Sequence, residues 1–136
     1  LNIGVSVDPS SANHLRAATA EAFIEWTEGV DLVFPNLDET RVLVGASGPF
    51  IDFDLLGHHY PHAVVKLGAM GAAYVGQGVR EQTAASRVDV VDSTGVGDAF
   101  AAGFLTSWIE AADPKTSLGQ GNAFAQMCLG KRGALP

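Results

Sequence analysis

Residues 91–105 read V-D-S-T-G-V-G-D-A-F-A-A-G-F-L: a short apolar stretch, a turn holding two glycines, then the start of a long helix. Gly95 and Gly97 permit backbone conformations closed to other residues and let a ligand approach the chain closely. The helix behind them opens with N–H groups that lack an intrahelical partner, and its dipole puts partial positive charge at that end. Such a turn can hold a phosphate or a developing oxyanion without lysine or arginine. Asp98, in the first helical turn, is placed to take a proton from an attacking hydroxyl. A plainer reading stands beside this one, since an acidic residue there also complements the dipole with no ligand present. Two other glycine motifs are excluded. A dinucleotide fingerprint needs a third glycine where Phe100 stands, and no segment supplies the G-K-[ST] of a Walker-type loop.

The rest of the chain supplies the elements around this turn. Asn2–Val7, Val30–Phe34, Ala63–Leu67 and Val88–Val91 read as strands, and Ala72–Val75 pairs with Val79–Thr83 as a hairpin. Helices are expected over Ala12–Thr27, from the Asn36 N-cap to Gly45, over Gly97–Ala112 and over Ser117–Leu129, with Asp113-Pro114 breaking the last two apart. Phe50–His62 is poorly patterned and reads as a short helix and a loop. Leu15, Ala22, Phe23 and Trp26 recur at helical spacing, and Phe100, Phe104, Leu105 and Trp108 should be buried; the tryptophans and phenylalanines are expected in the core. Strands alternating with helices predict an α/β fold: a mostly parallel sheet with helices on both faces and a small β-hairpin. Ligands in such sheets sit beyond the C-terminal ends of the strands, where the Asn36 and Gly95 loops lie.

Composition narrows the partners. The chain has 136 residues, room for one packed domain, and a formal net charge of −7, which argues against nucleic acid or an anionic membrane as a partner. An anionic ligand must then be held by backbone N–H groups, dipoles or a metal ion. One cysteine, Cys128, forms no internal disulfide and points to a reducing, cytoplasmic setting. No stretch has the length of a membrane span. With Leu1 inside an expected strand and no initiator methionine, the chain reads as a piece of a longer one. The run His58-His59-Tyr60-Pro61-His62 invites a metal reading, but lacks further well-placed ligands and reads better as a solvated loop.

Residues 92–105 resemble the D-T-x-G-A-G-D motif of PfkB (ribokinase-like) carbohydrate kinases, with Ser93 keeping a hydroxyl and Val96 replacing a small residue. The resemblance implies that Asp98 is the catalytic base and that the backbone of Gly95, Val96 and Gly97 is the anion hole. Asn36-Leu37-Asp38-Glu39 is similar to the family's N-x-x-E motif, which helps to position Mg²⁺ and the ATP phosphates, with Glu39 reaching the metal through water. The same four residues also form a capping box without any ligand. Val64–Gly71 resembles the family segment flanking the nucleotide, so Lys66 and Gly68 are expected near phosphates, with Gly71 at the turn; a surface lysine and a hairpin bend is the competing reading. Asn122 is similar in position to a residue bordering the adenine or ribose. The carbonyls of Asp92 and Thr94 match part of a monovalent-cation loop, which makes K⁺ a candidate. The four segments lie in the family's order across nearly the whole chain. The resemblance implies an ATP-dependent sugar kinase. Residues 1–136 would be its ATP-binding, catalytic portion, with the sugar-binding part, the lid and any homodimer contact formed through that lid outside the chain. Acting alone, this stretch should be inactive. A nucleoside kinase of the same superfamily and a non-catalytic nucleotide-binding domain, in which Val96 spoils the anion hole, are the alternatives.

Overall fold

The computed structural model describes residues 4–132. They form an α/β fold whose five strands lie in the order β1 (Ser6–Val7), β2 (Leu32–Val33), β3 (His62–Lys66), β4 (Ala72–Gly76), β5 (Val79–Thr83). The first three run parallel, with Ser6 opposite Leu32 and Leu32 opposite His62, and Asn36 extends the register to Lys66. Gln77 and Gly78, at φ of 50° and 78°, join β4 to β5. A two-residue link with both residues at positive φ makes an antiparallel hairpin of the primed type. The mostly parallel sheet with helices is therefore as expected. Leu32, Val33 and Phe34, and Ala63, Val64 and Val65, are each at most 3% exposed. Successive side chains point to opposite faces, so both faces of these strands are covered.

The described residues fall into two compact units, one from the chain up to Leu67 plus Tyr74–Arg80, the other from Gly68–Ala73 plus the chain from Glu81 onward. In the first unit, α1 (Ala12–Ala18), α2 (Ala20–Trp26) and α3 (Leu37–Leu43) accompany a 3-10 segment, Phe53–His58. Its core joins Leu15, Val33, Leu43, Leu56, Tyr60, Ala63, Val65 and Val75. Each such buried aliphatic side chain is worth about 1.5–3 kcal/mol. In the second unit, α4 (Val96–Ala111) packs on α5 (Pro114–Leu129). Their closeness depends on two glycines. A Cβ on Gly103 would stand 2.6 Å from the Gln120 carbonyl, and one on Gly121 would stand 2.7 Å from the Phe100 ring.

Several expectations need correcting. The single helix over Ala12–Thr27 is two helices, because Thr19 takes φ 72° and ψ 147° and serves as N-cap of α2, accepting the Ala22 N–H. The break resets the helical phase, so Trp26 leaves the face of Leu15 and is 72% exposed. Phe50 and Phe124 are also exposed, and Leu105 and Trp108 only half-buried. The expected strand Val88–Val91 is absent. The N–H of Val91 donates to the Leu129 carbonyl at the end of α5 (2.9 Å) instead of to a neighbouring strand, and Val88, Val90 and Val91 are exposed. The histidine run is not one solvated loop: Tyr60 is buried with its hydroxyl 2.7 Å from Thr27 Oγ1, and His62 opens β3 with its ring stacked on Tyr74. The expected strand at Asn2–Val7 is seen as Ser6–Val7, and its first two residues lie outside those described.

Candidate active site

The C-terminal ends of β1, β2 and β3 gather Asp8, Asn36, Glu39 and Lys66. Asn36 caps α3, its Oδ1 accepting the Glu39 N–H at 2.9 Å, while Glu39 Oε2 accepts the Asn36 N–H at 2.8 Å. This reciprocal box is the local arrangement that N-x-x-E favours at a helix start. Glu39 is 1% exposed. Burial pushes its carboxyl above the ordinary range, and the Asn36 N–H opposes that. The Asp8 carboxylate pushes it further up, the Lys66 ammonium pulls it down, and Asp38 adds a smaller push upward. Oε1 of Glu39 takes part in neither of these bonds. The donors here are all oxygens, which suits Mg²⁺, a hard ion that keeps several of its waters. The residues present therefore fit such an ion, which Glu39 would reach through water.

Lys66 is no loose surface lysine. Its ammonium donates to Asp8 Oδ2, and the two side chains are 16% and 24% exposed. Sequence reasoning singled out nothing at Asp8. Its position directly after β1, at the end of the sheet where α/β folds bind ligands, was the signal that could have found it.

In the second unit, Gly95 (φ 76°) is the N-cap of α4 and no side chain caps that helix. The N–H groups of Gly97 and Asp98 have no partner among the described residues, and neither does the exposed Asp98 carboxylate. Gly95, Val96 and Gly97 are half-buried. The loop before them is held from behind. Asp92 Oδ1 accepts the Thr94 N–H at 2.8 Å, and the Thr94 carbonyl accepts the buried Cys128 S–H at 3.3 Å. That carbonyl, one of the expected cation ligands, thus already carries one partner.

Three other expected site residues stand as follows. Gly68 (φ 61°) has no heavy atom within 4 Å of where a Cβ would stand, so its surface is open to close approach. Gly71 (φ 95°) is different: a Cβ there would lie 1.9 Å from the Thr83 carbonyl, so packing alone accounts for the glycine. Asn122 is 7% exposed, and its Nδ2 donates to the carbonyls of Thr83 and Ala84, both at 3.4 Å. No cluster of three or more histidine, cysteine or acidic residues that could hold a metal ion occurs among the described residues, the histidine run included.

Residues 2–136 match the family model of the pfkB family carbohydrate kinases. The chain belongs to the PfkB family. Among curated relatives, it is 34% identical over 114 residues to 2-dehydro-3-deoxygluconokinase of Thermoproteus tenax, covering 79% of this chain and 34% of that protein. It is 30% identical over 122 residues to a ribokinase of Arabidopsis thaliana, covering 82% and 32%. The chain thus spans about a third of the length of the curated relatives it matches. In structure it resembles adenosine kinase from Sinorhizobium meliloti, with a TM-score of 0.87 and 29% identity over 98% of this chain and 41% of that one. These PfkB relatives are kinases of sugars and nucleosides, and the fold is ribokinase-like. No helix of the described residues is long and apolar enough to cross a membrane.

Proposed function

We propose that this chain is the ATP-binding and catalytic portion of a cytoplasmic PfkB-type kinase that transfers the γ-phosphate of ATP to a hydroxyl of a sugar. The observation that carries the reading is the uncapped start of α4, where the N–H groups of Gly97 and Asp98 and the Asp98 carboxylate have no partner among the described residues. A carboxylate hydrogen-bonded to those groups would not have its acceptors free. Here Asp98 is free to accept the proton of the acceptor hydroxyl, and the backbone from Gly95 to Gly97 receives the charge of the phosphoryl group in flight. Asn36, Glu39, Lys66 and Gly68 hold the metal-bound phosphates, and Asn122 stands toward the base or ribose. Mg²⁺, when bound, supplies neutralisation of phosphate charge. The Asp92 and Thr94 carbonyls are assigned to a monovalent cation such as K⁺.

The chain spans about a third of its curated relatives, and we place the acceptor-contacting residues outside it, so this stretch alone is expected to show no sugar-dependent turnover. Likeness to adenosine kinase at 29% identity favours a second reading, a nucleoside acceptor. The deciding experiment uses the intact protein: ADP release followed over a panel of sugars and nucleosides, with Mg·ATP binding measured by calorimetry. Acceptor-dependent ADP release is expected for one class. Binding of Mg·ATP with no transfer to any acceptor would make the domain a nucleotide binder, and absence of both would end the kinase reading.

A further inference from the structure

At the C-terminal ends of β1–β3 the carboxylates of Asp8 and Asp38 both act on that of Glu39, and the ammonium that acts on it is that of Lys66. The ammonium is already committed to Asp8 Oδ2, in a pair mostly shielded from water. Asp8 is itself anchored, its Oδ1 accepting the Ser10 N–H at 2.9 Å on the turn after β1. These strand ends therefore carry surplus negative charge, and the Lys66 ammonium is neutralised. Lys66 keeps N–H bonds with which to orient a phosphate oxygen but has no net charge left to attract one. A metal-free triphosphate, a tetraanion, is repelled by such a site. The same triphosphate carrying a divalent cation brings two positive charges toward these carboxylates.

Resting on the kinase reading above, we propose that Asp8 is a specificity-determining residue for the charge state of the nucleotide. By holding Lys66 it makes this site refuse a metal-free triphosphate and accept a metal-bound one. A lysine left free in the same place would bind both forms. An ion pair serving only stability would leave the discrimination unmoved.

The test is calorimetry on the intact protein with two titrants, ATP in Mg²⁺ and ATP in excess EDTA. Asp8→Asn keeps an oxygen for Ser10 and releases Lys66. It is expected to tighten metal-free ATP about tenfold while changing Mg·ATP far less, so the ratio of the two affinities collapses. Adding Lys66→Gln to Asp8→Asn should restore the ratio. Wild-type binding of Mg·ATP with a ratio unmoved by Asp8→Asn overturns this inference alone. No binding of Mg·ATP by the wild type removes the kinase reading and this inference with it. Should Asp8→Asn fail to fold, Lys66→Gln carries the test: it leaves Asp8 uncompensated and must widen the ratio, and an unchanged or narrower ratio is fatal.

Discussion

At the end of β2 the groups of the motif find partners, whereas at the start of α4 the Val96 N–H reaches the Ser93 carbonyl at 3.4 Å but the Gly97 and Asp98 N–H groups and the Asp98 carboxylate find none among the described residues. Asn36 and Glu39 exchange two hydrogen bonds across four residues, and Lys66 is closed on Asp8. Gly95 caps α4 with no side chain, and Asp98 stands exposed with its carboxylate unengaged. The contrast fits two kinds of task. A group that must hold an ion in fixed geometry is best positioned beforehand by its neighbours. A group that must accept a proton from a substrate has to keep its acceptor free, and its neighbouring amides have to remain unpaired for the charge that develops. The second arrangement needs rigidity from elsewhere. It comes from the end of α5, where the Leu129 carbonyl takes the Val91 N–H and the Cys128 S–H reaches the Thr94 carbonyl.

The largest expected effect breaks the free side of that contrast. Asp98→Asn in the intact protein should lower kcat by about a thousandfold, the scale of a lost general base, with Mg·ATP affinity nearly unchanged. A kcat within a few-fold of wild type would show that Asp98 is only a dipole-complementing surface residue. Next in size is Gly103→Val, which sharpens the idea that α5 supports the turn from behind. The added side chain would enter the space of the Gln120 carbonyl and the Phe124 ring, 2.6 and 2.8 Å from its Cβ. Overpacking of this kind costs about 1–3 kcal/mol, read as a lower urea midpoint. It should also depress kcat more than it weakens Mg·ATP binding. Equal losses in both would argue against a special dependence of the turn on the α4–α5 packing.

What could be read in the chain follows the range of the interactions. The capping box lies within four residues, so Asn36 and Glu39 were legible, as was the hairpin turn at Gln77-Gly78, whereas the last helix starts at Pro114, a turn earlier than the expected Ser117. The Asp8–Lys66 pair joins residues 58 positions apart and leaves no local pattern. The break at Thr19 carries no glycine or proline to announce it, and with it went the placement of Trp26. Val88–Val91 has the composition of a strand, but a strand needs a neighbour, and here the end of α5 takes the Val91 N–H instead. The family order of the motifs was plain in the sequence. Whether Asp98 would be free or self-capped was not, because Gly-x-Gly-Asp is compatible with both.

The smallest effect tests the committed side. Because burial holds the Glu39 carboxyl above its ordinary value of 4.5, the folded protein binds that proton more tightly than the unfolded chain does. In the interval from the ordinary value up to the raised one, the native state carries more protons, so this group's contribution to stability falls as pH rises. Below that interval both states are protonated, and above it both are ionised, so the slope vanishes at either end. Glu39→Gln keeps an acceptor for the Asn36 N–H but cannot ionise, and should abolish this slope. Urea midpoints of wild type and variant, measured from acid to neutral pH, should converge at the acid end and separate toward neutrality, with the variant higher. Added Mg²⁺ should shrink the separation by favouring the ionised wild-type carboxylate. Parallel curves would mean that Glu39 escapes the desolvation its burial implies, and the picture of a buried carboxyl positioned beforehand would fail.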